Sequence, residues 1–158
     1  MSEKILSAED REITEARKEL NELTEIVNGC GIEVHRASGP GLLESTYELC
    51  LCRELTLPAI SFERQKPAPV FYKGVKLDYG YRDHRWPTSL EIKSIEQTSA
   101  ISDAQLLSYL KLSGMKVGLL MNFNVRMLTH RVQRFSDRQK KFHCSSVFSV
   151  ISVVKSSA

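Results

Sequence analysis

The sequence predicts an α/β domain in which a mixed central sheet is flanked by helices, with an extra helical segment at the N-terminus. Three observations lead there. Apolar residues recur at helical spacing up to Leu55, short β-favouring runs then follow one another from Ile60 to Ile95, and a third helical stretch precedes Val117 to Phe123. That last run is nearly continuous in apolar residues, the mark of a strand covered on both faces. The order helix, helix, strands, helix, strand is that of helices packed on a sheet. At 158 residues, 42% apolar and 26% charged, the chain suits one domain with a genuine core.

Ser7, followed three residues later by Asp10, has the capping-box form and opens a charged helical stretch. The charge thins towards Leu23, Ile26, Val27, Cys30 and Val34, an apolar face that carries the first helical region to about Arg36, with a break allowed. Residues 1–22 thus read as a charged helical extension and 23–137 as the single domain. Ser38-Gly39-Pro40-Gly41 stops the helix. A second helix is expected from Leu42 to Thr56, with Leu43, Tyr47, Cys50, Leu51 and Leu55 inward. Ile60–Arg64, Val70–Tyr72, Val75–Arg82 and Ser89–Ile95 read as strands, with Pro67 and Pro69 pushing the early ones to an edge. Ser99 or Ser102 caps a helix that runs to Gly114. Arg126 to Phe135 allows either a helix bearing a stripe of Arg126, His130, Arg134 and Arg138, or a final strand through Leu128, Val132 and Phe135. Residues 138–158 are expected to be a C-terminal tail, either pairing as an edge strand or disordered.

Several classes are disfavoured. No apolar run approaches the roughly 20 residues needed to cross a bilayer, so no membrane partner is expected. The N-terminus lacks the basic start and apolar stretch of a secretion signal, which makes the cytoplasm the expected compartment. Cys30, Cys50, Cys52 and Cys144 show no pair of metal-ligand spacings and read as reduced thiols. The net charge of +3 conceals a basic stretch: Arg126, Arg131, Arg134, Arg138, Lys140 and Lys141 stand against the single acid Asp137. Such a patch suits a polyanion or is a solvated tail.

The chemistry centres on Glu91-Ile92-Lys93. A strand alternates sides, so Glu91 and Lys93 share one face while Leu90 and Ile92 take the other. The plain reading is a surface strand with its polar side in water. The functional reading is phosphodiester hydrolysis, which needs charge neutralised on the phosphate and a water made nucleophilic, tasks met by Mg²⁺ or Mn²⁺ held on carboxylates. Asp83 lies eight positions before Glu91 with Pro87 between them, so the two can stand at facing ends of a hairpin and share an ion. Lys93 would then project beside it and stabilise charge on the phosphate. On the following helix Gln105 and Tyr109 are four apart, share a face, and could contact a nucleic-acid backbone or brace the site.

Asp83, Glu91-Ile92-Lys93 and Gln105-x-x-x-Tyr109 together resemble the PD-(D/E)XK nuclease superfamily, in particular its RecB-like branch. Gly41-Leu42-Leu43-Glu44-Ser45-Thr46-Tyr47, with Glu33-Val34-His35-Arg36 before it and Gly118 to Val125 after it, is similar to the small bacterial proteins called the GxxExxY family. The resemblance implies a restriction-endonuclease-like core and a nuclease acting on nucleic acid, DNA in the first place. It implies Asp83 and Glu91 as metal ligands, Lys93 as the catalytic lysine, Glu44 as an additional acid and His35 as a further ligand. Arg82, Gln105 and Tyr109 are the implied nucleic-acid contacts, and a homodimer is an allowed assembly. One departure from the family pattern stands out: Asp83 directly follows Arg82, and the segment from His84 to Ser89 is polar and short. Either Asp83 serves as it stands, or the register puts His84 at the metal position, or the site is degenerate. In the last case the protein is a nucleic-acid-binding or protein-interaction module that keeps the nuclease fold.

Overall fold

The computed structural model describes residues 7–65, 71–73, 75–76, 88–97, 100–128, 132–136 and 150–155. Among these residues lie helices α1 (Ala8–Ser38), α2 (Glu44–Thr56) and α3 (Ala100–Ser113) and strands β1 (Ile60–Arg64), β2 (Phe71–Tyr72), β3 (Val75–Lys76), β4 (Thr88–Lys93), β5 (Val117–Asn122), β6 (Val132–Ser136) and β7 (Val150–Lys155). β2 and β3 pair only with each other, whereas the other strands form one sheet in the order β1-β7-β4-β5-β6. The β4/β5 pair is parallel and the remaining pairs are antiparallel. The architecture is thus the expected α/β one, with a mixed sheet flanked by helices.

α1 begins with the reciprocal cap: Asp10 N donates to Ser7 Oγ at 3.1 Å and Ser7 N to the Asp10 carboxylate at 3.2 Å. It is continuous, without the break that was allowed for it. Residues 8–19 are exposed, and burial begins where the apolar stripe of Leu23, Val27, Cys30 and Val34 meets the domain. Gly39, at φ 66°, turns the chain out of the helix, and Gly41, at φ 99°, turns it again before α2. α2 therefore starts at Glu44, two residues later than its apolar pattern suggested.

The main core fills the face between the sheet and α1/α2, with Val27, Tyr47, Leu51, Leu55, Leu90, Ile92, Leu119, Met121, Phe123 and Val153. The opposite face carries a smaller cluster of Leu106, Tyr109, Leu110, Met115 and Leu120 under α3. Gly118 lets α3 seat that closely, since a Cβ there would stand 3.0 Å from Leu106 Cγ and Leu110 Cδ1. Ser102 is buried inside α3 rather than capping it, and Ser99 lies outside the described residues.

Two further expectations are decided by pairing. The ambiguous segment ends as strand β6, which runs along β5 from Met121↔Val132 to Val117↔Ser136, so Arg134 stands on a strand. Of the C-terminal stretch the structure describes residues 150–155. β7 lies inside the sheet, paired on one side with β1 from Ile60↔Lys155 to Arg64↔Ile151 and on the other with β4 from Thr88↔Val153 to Glu91↔Val150. Without it both neighbours would present unpaired backbone edges, and Val153 from it enters the main core.

Candidate active site

β4 is an inner strand, so the pair it carries is not on a solvated face. Leu90 and Ile92 enter the main core, and alternation puts Ser89, Glu91 and Lys93 on the α3 side, beside Gly118, Leu120 and Asn122 of β5. Glu91 is fully buried, at 0% exposure, and the Lys93 side chain keeps 18%. Lys93 Nζ stands 2.7 Å from Glu91 Oε1 as an ion pair. Neither oxygen of the Glu91 carboxylate has a hydrogen-bond partner among the described residues. Burial pushes the Glu91 carboxyl above its ordinary range; Lys93 pulls it back, and the Glu44 charge adds to the rise.

The backbone just beyond Lys93 is held from several directions. Lys93 O accepts from Phe123 N at 2.8 Å. Ser94 N donates to Glu44 Oε1 at 3.1 Å, and Ser94 Oγ donates to Leu42 O at 2.6 Å. Leu42 is itself fixed, because Tyr47 Oη accepts from Leu42 N at 3.1 Å and donates to Gly39 O at 2.6 Å. The Tyr47 ring stacks on Phe123 with centroids 4.4 Å apart. Gly41, Glu44 and Tyr47 thus act together: a turn, a brace on the end of β4, and a lock on the loop between α1 and α2.

The other residues singled out from the sequence divide. His35 is buried near Phe123, and its Nε2 lies 2.7 Å from Val125 O, a contact that places the proton on Nε2. Tyr109 is buried in the cluster under α3 and Gln105 is half-buried on the same helix, both with partners. Arg126 is exposed, and Arg134 Nη1 donates to Asn21 Oδ1 on α1 at 2.8 Å. Asp83, Arg82, His84, Arg131, Arg138, Lys140 and Lys141 lie outside the described residues.

Two residues were missed. Glu48, one turn after Glu44 on α2, has a side chain only 1% exposed and accepts from Arg64 Nε at the end of β1 at 2.8 Å. Its i, i+4 relation to Glu44 was visible; its partner, sixteen residues away, was not. Asn122 closes β5 at 2% exposure and brackets Ile95, accepting from Ile95 N at 3.2 Å and donating to Ile95 O at 2.7 Å. An amide ending an apolar run was its only signal.

Among the described residues no three His, Cys, Asp or Glu side chains gather closely enough to hold a metal ion. The described acids around the site are Glu91 and Glu44. Their hard oxygen donors suit Mg²⁺ or Mn²⁺ rather than zinc, and a buried carboxylate with both oxygens short of hydrogen bonds is the feature a cation would satisfy.

Helices on both faces of a mixed sheet, with an acid and a lysine side by side on an inner strand, define a restriction-endonuclease-like α/β protein. The sequence model of the PD-(D/E)XK nuclease superfamily matches residues 21–135, and the chain belongs to that superfamily. No curated protein and no solved structure matches it.

Proposed function

We propose that the protein is a divalent-metal-dependent nuclease that hydrolyses phosphodiester bonds in nucleic acid, DNA in the first place, and that it lies in the GxxExxY group of the RecB-like branch. The observation that carries this reading is the fully buried Glu91 with Lys93 Nζ 2.7 Å from it on an inner strand. A structural ion pair gains little from such a place, because burying the carboxylate costs more than one lysine returns. Superfamily membership supports a nucleic-acid substrate, and its members generally use divalent metals.

Glu91 and Glu44, with Asp83 from the preceding segment, are the residues that would hold the ion. When bound, such an ion neutralises charge on the phosphate and lowers the pKa of a water. Lys93 contributes a fixed ammonium where negative charge develops, and its salt contact with Glu91 keeps it there. Glu44 uses Oε1 on Ser94 N and has Oε2 for the site.

A second reading has its own support. Asp83 directly follows Arg82 and the segment from His84 to Ser89 is short and polar; a chain in which that altered segment supplies no ligand would bind nucleic acid without cutting it. Incubation with single- and double-stranded DNA and with RNA, in Mg²⁺, Mn²⁺ or chelator, separates the two. Metal-dependent cleavage that disappears in Glu91→Ala and in Lys93→Ala, with circular dichroism unchanged, supports the nuclease. Cleavage that survives both variants refutes the assignment. Salt-sensitive binding without cleavage, weakened in Arg131→Gln/Arg134→Gln, supports the binding module.

A further inference from the structure

We infer that Asn122 is a positioning residue for the Glu91/Lys93 pair; its consequence for rate rests on the nuclease reading above. Asn122 is the last residue of β5 and lies directly beside Lys93 in the parallel register, on the same side of the sheet. A buried amide at the end of an apolar strand is costly unless its hydrogen bonds are made. Here they are made to two short stretches of backbone, one just beyond β4 and one just beyond β5. Asn122 Oδ1 accepts from Ile95 N and from Asn124 N, each at 3.2 Å, and Nδ2 donates to Ile95 O at 2.7 Å.

The effect is to continue the ladder past the point where it would end. The last backbone bond between these neighbours is Phe123 N to Lys93 O, and two residues later the Asn122 side chain grips both the N–H and the C=O of Ile95. Glu44 holds Ser94 N between them. Lys93 is the final residue of β4, where a strand frays first. Its ammonium sits on a flexible four-carbon stem, so the 2.7 Å approach to Glu91 survives only while the backbone beneath it stays in strand geometry. A displacement of about 1 Å in a reacting group costs on the order of 100-fold in rate.

The test uses the full chain with Asn122→Ala and Asn122→Asp, the second keeping the shape and both accepting contacts. Two readouts are taken: steady-state cleavage of DNA in Mg²⁺, and the ¹⁵N resonance of Lys93 Nζ by NMR in the absence of metal. Asn122→Ala is expected to lower kcat by roughly 10- to 100-fold while KM moves by less than about threefold, and to shift or broaden the Lys93 resonance; Asn122→Asp should fall between it and the wild type. An unchanged resonance in a folded variant overturns the inference whatever the activity. So does an unchanged kcat in an enzyme that cleaves. If the wild-type protein cleaves nothing but the resonance moves, the nuclease reading fails and the positioning role stands. Should Asn122→Ala not fold, the same outcomes are read from Asn122→Asp.

Discussion

Replacing Glu91 by glutamine is expected to abolish cleavage and to stabilise the fold, and the two effects together separate a functional carboxylate from a structural one. The side chain is 1% exposed, with neither oxygen hydrogen-bonded among the described residues. An unsatisfied buried polar group costs about 1–3 kcal/mol. The Lys93 contact returns part of that, and glutamine has hydrogen-bonding needs of its own, so the net gain expected at neutral pH is about 1 kcal/mol. For a chain of this size that is roughly 2–4 °C in Tm. The sign follows from linkage. A carboxyl whose folded-state pKa is raised holds its proton more tightly in the folded protein, so stability is fully present below the ordinary value of 4.5 and is lost as pH rises through the raised folded value. The glutamine has no such proton. Its advantage should be present at pH 7.5 and shrink towards zero near pH 4. Thermal unfolding followed by circular dichroism in chelator, at both pH values, measures this. A lower Tm for Glu91→Gln at pH 7.5, as loss of a stabilising ion pair would give, refutes the reasoning, and so does a difference independent of pH.

Three other outcomes follow from the same geometry. Arg64→Ala removes the 2.8 Å partner of the buried Glu48 carboxylate, which keeps Gln65 Nε2 at 3.4 Å, and with Arg64 partly exposed should cost about 1 kcal/mol in urea unfolding, with Arg64→Lys recovering part; an unchanged unfolding midpoint would show the pair to be idle. Tyr47→Phe removes the bonds to Gly39 O and Leu42 N, with an expected loss of about 1–2 kcal/mol and faster hydrogen exchange at the Leu42 amide, and unchanged exchange there would count against the lock. A chain ending at residue 149 lacks β7 and opens both β1 and β4 along their edges, so it should lose cooperative unfolding; a sharp two-state transition in that chain would contradict the inner position of β7.

How far the fold was legible depends on how local each signal is. Ile60–Arg64 matches β1 residue for residue, and Val117–Asn122 falls within the expected apolar run, because each element needs only its own alternation or burial. The shared face of Glu91 and Lys93 was legible for the same reason. That this face is buried was not. Burial of Glu91 depends on β4 having neighbours on both sides, and one of them, β7, arrives from some sixty residues further along, in a stretch whose serines and valines read equally well as an edge. The first turn of α2 was placed too early because Leu42 and Leu43 are apolar; the positive φ at Gly41 and the bond from Ser94 Oγ to Leu42 O hold that stretch in a loop. Glu48 and Asn122 were invisible because a polar residue in an apolar pattern carries no mark of its partner.

The same dependence on distant partners joins two motifs that the sequence offered separately. The glycine-glutamate-tyrosine spacing suggested an additional acid, and Glu-x-Lys a catalytic pair. In the fold both converge on Ser94: its hydroxyl is on Leu42 O, its amide on Glu44, and Leu42 is locked by Tyr47. Glu44 therefore has a mechanical role that it fills whether or not it also meets a cation, since one oxygen braces the strand end and the other remains. It follows that substitution of Glu44 or Tyr47 should be felt at Lys93, and that loss of activity in a Glu44 variant is not by itself evidence of a metal ligand. The discriminating change is Glu44→Gln, which keeps an oxygen for Ser94 N and removes the charge. If that variant retains activity, Glu44 acts through the backbone of β4; if it fails while the Lys93 resonance stays in place, the carboxylate itself meets the substrate or its ion.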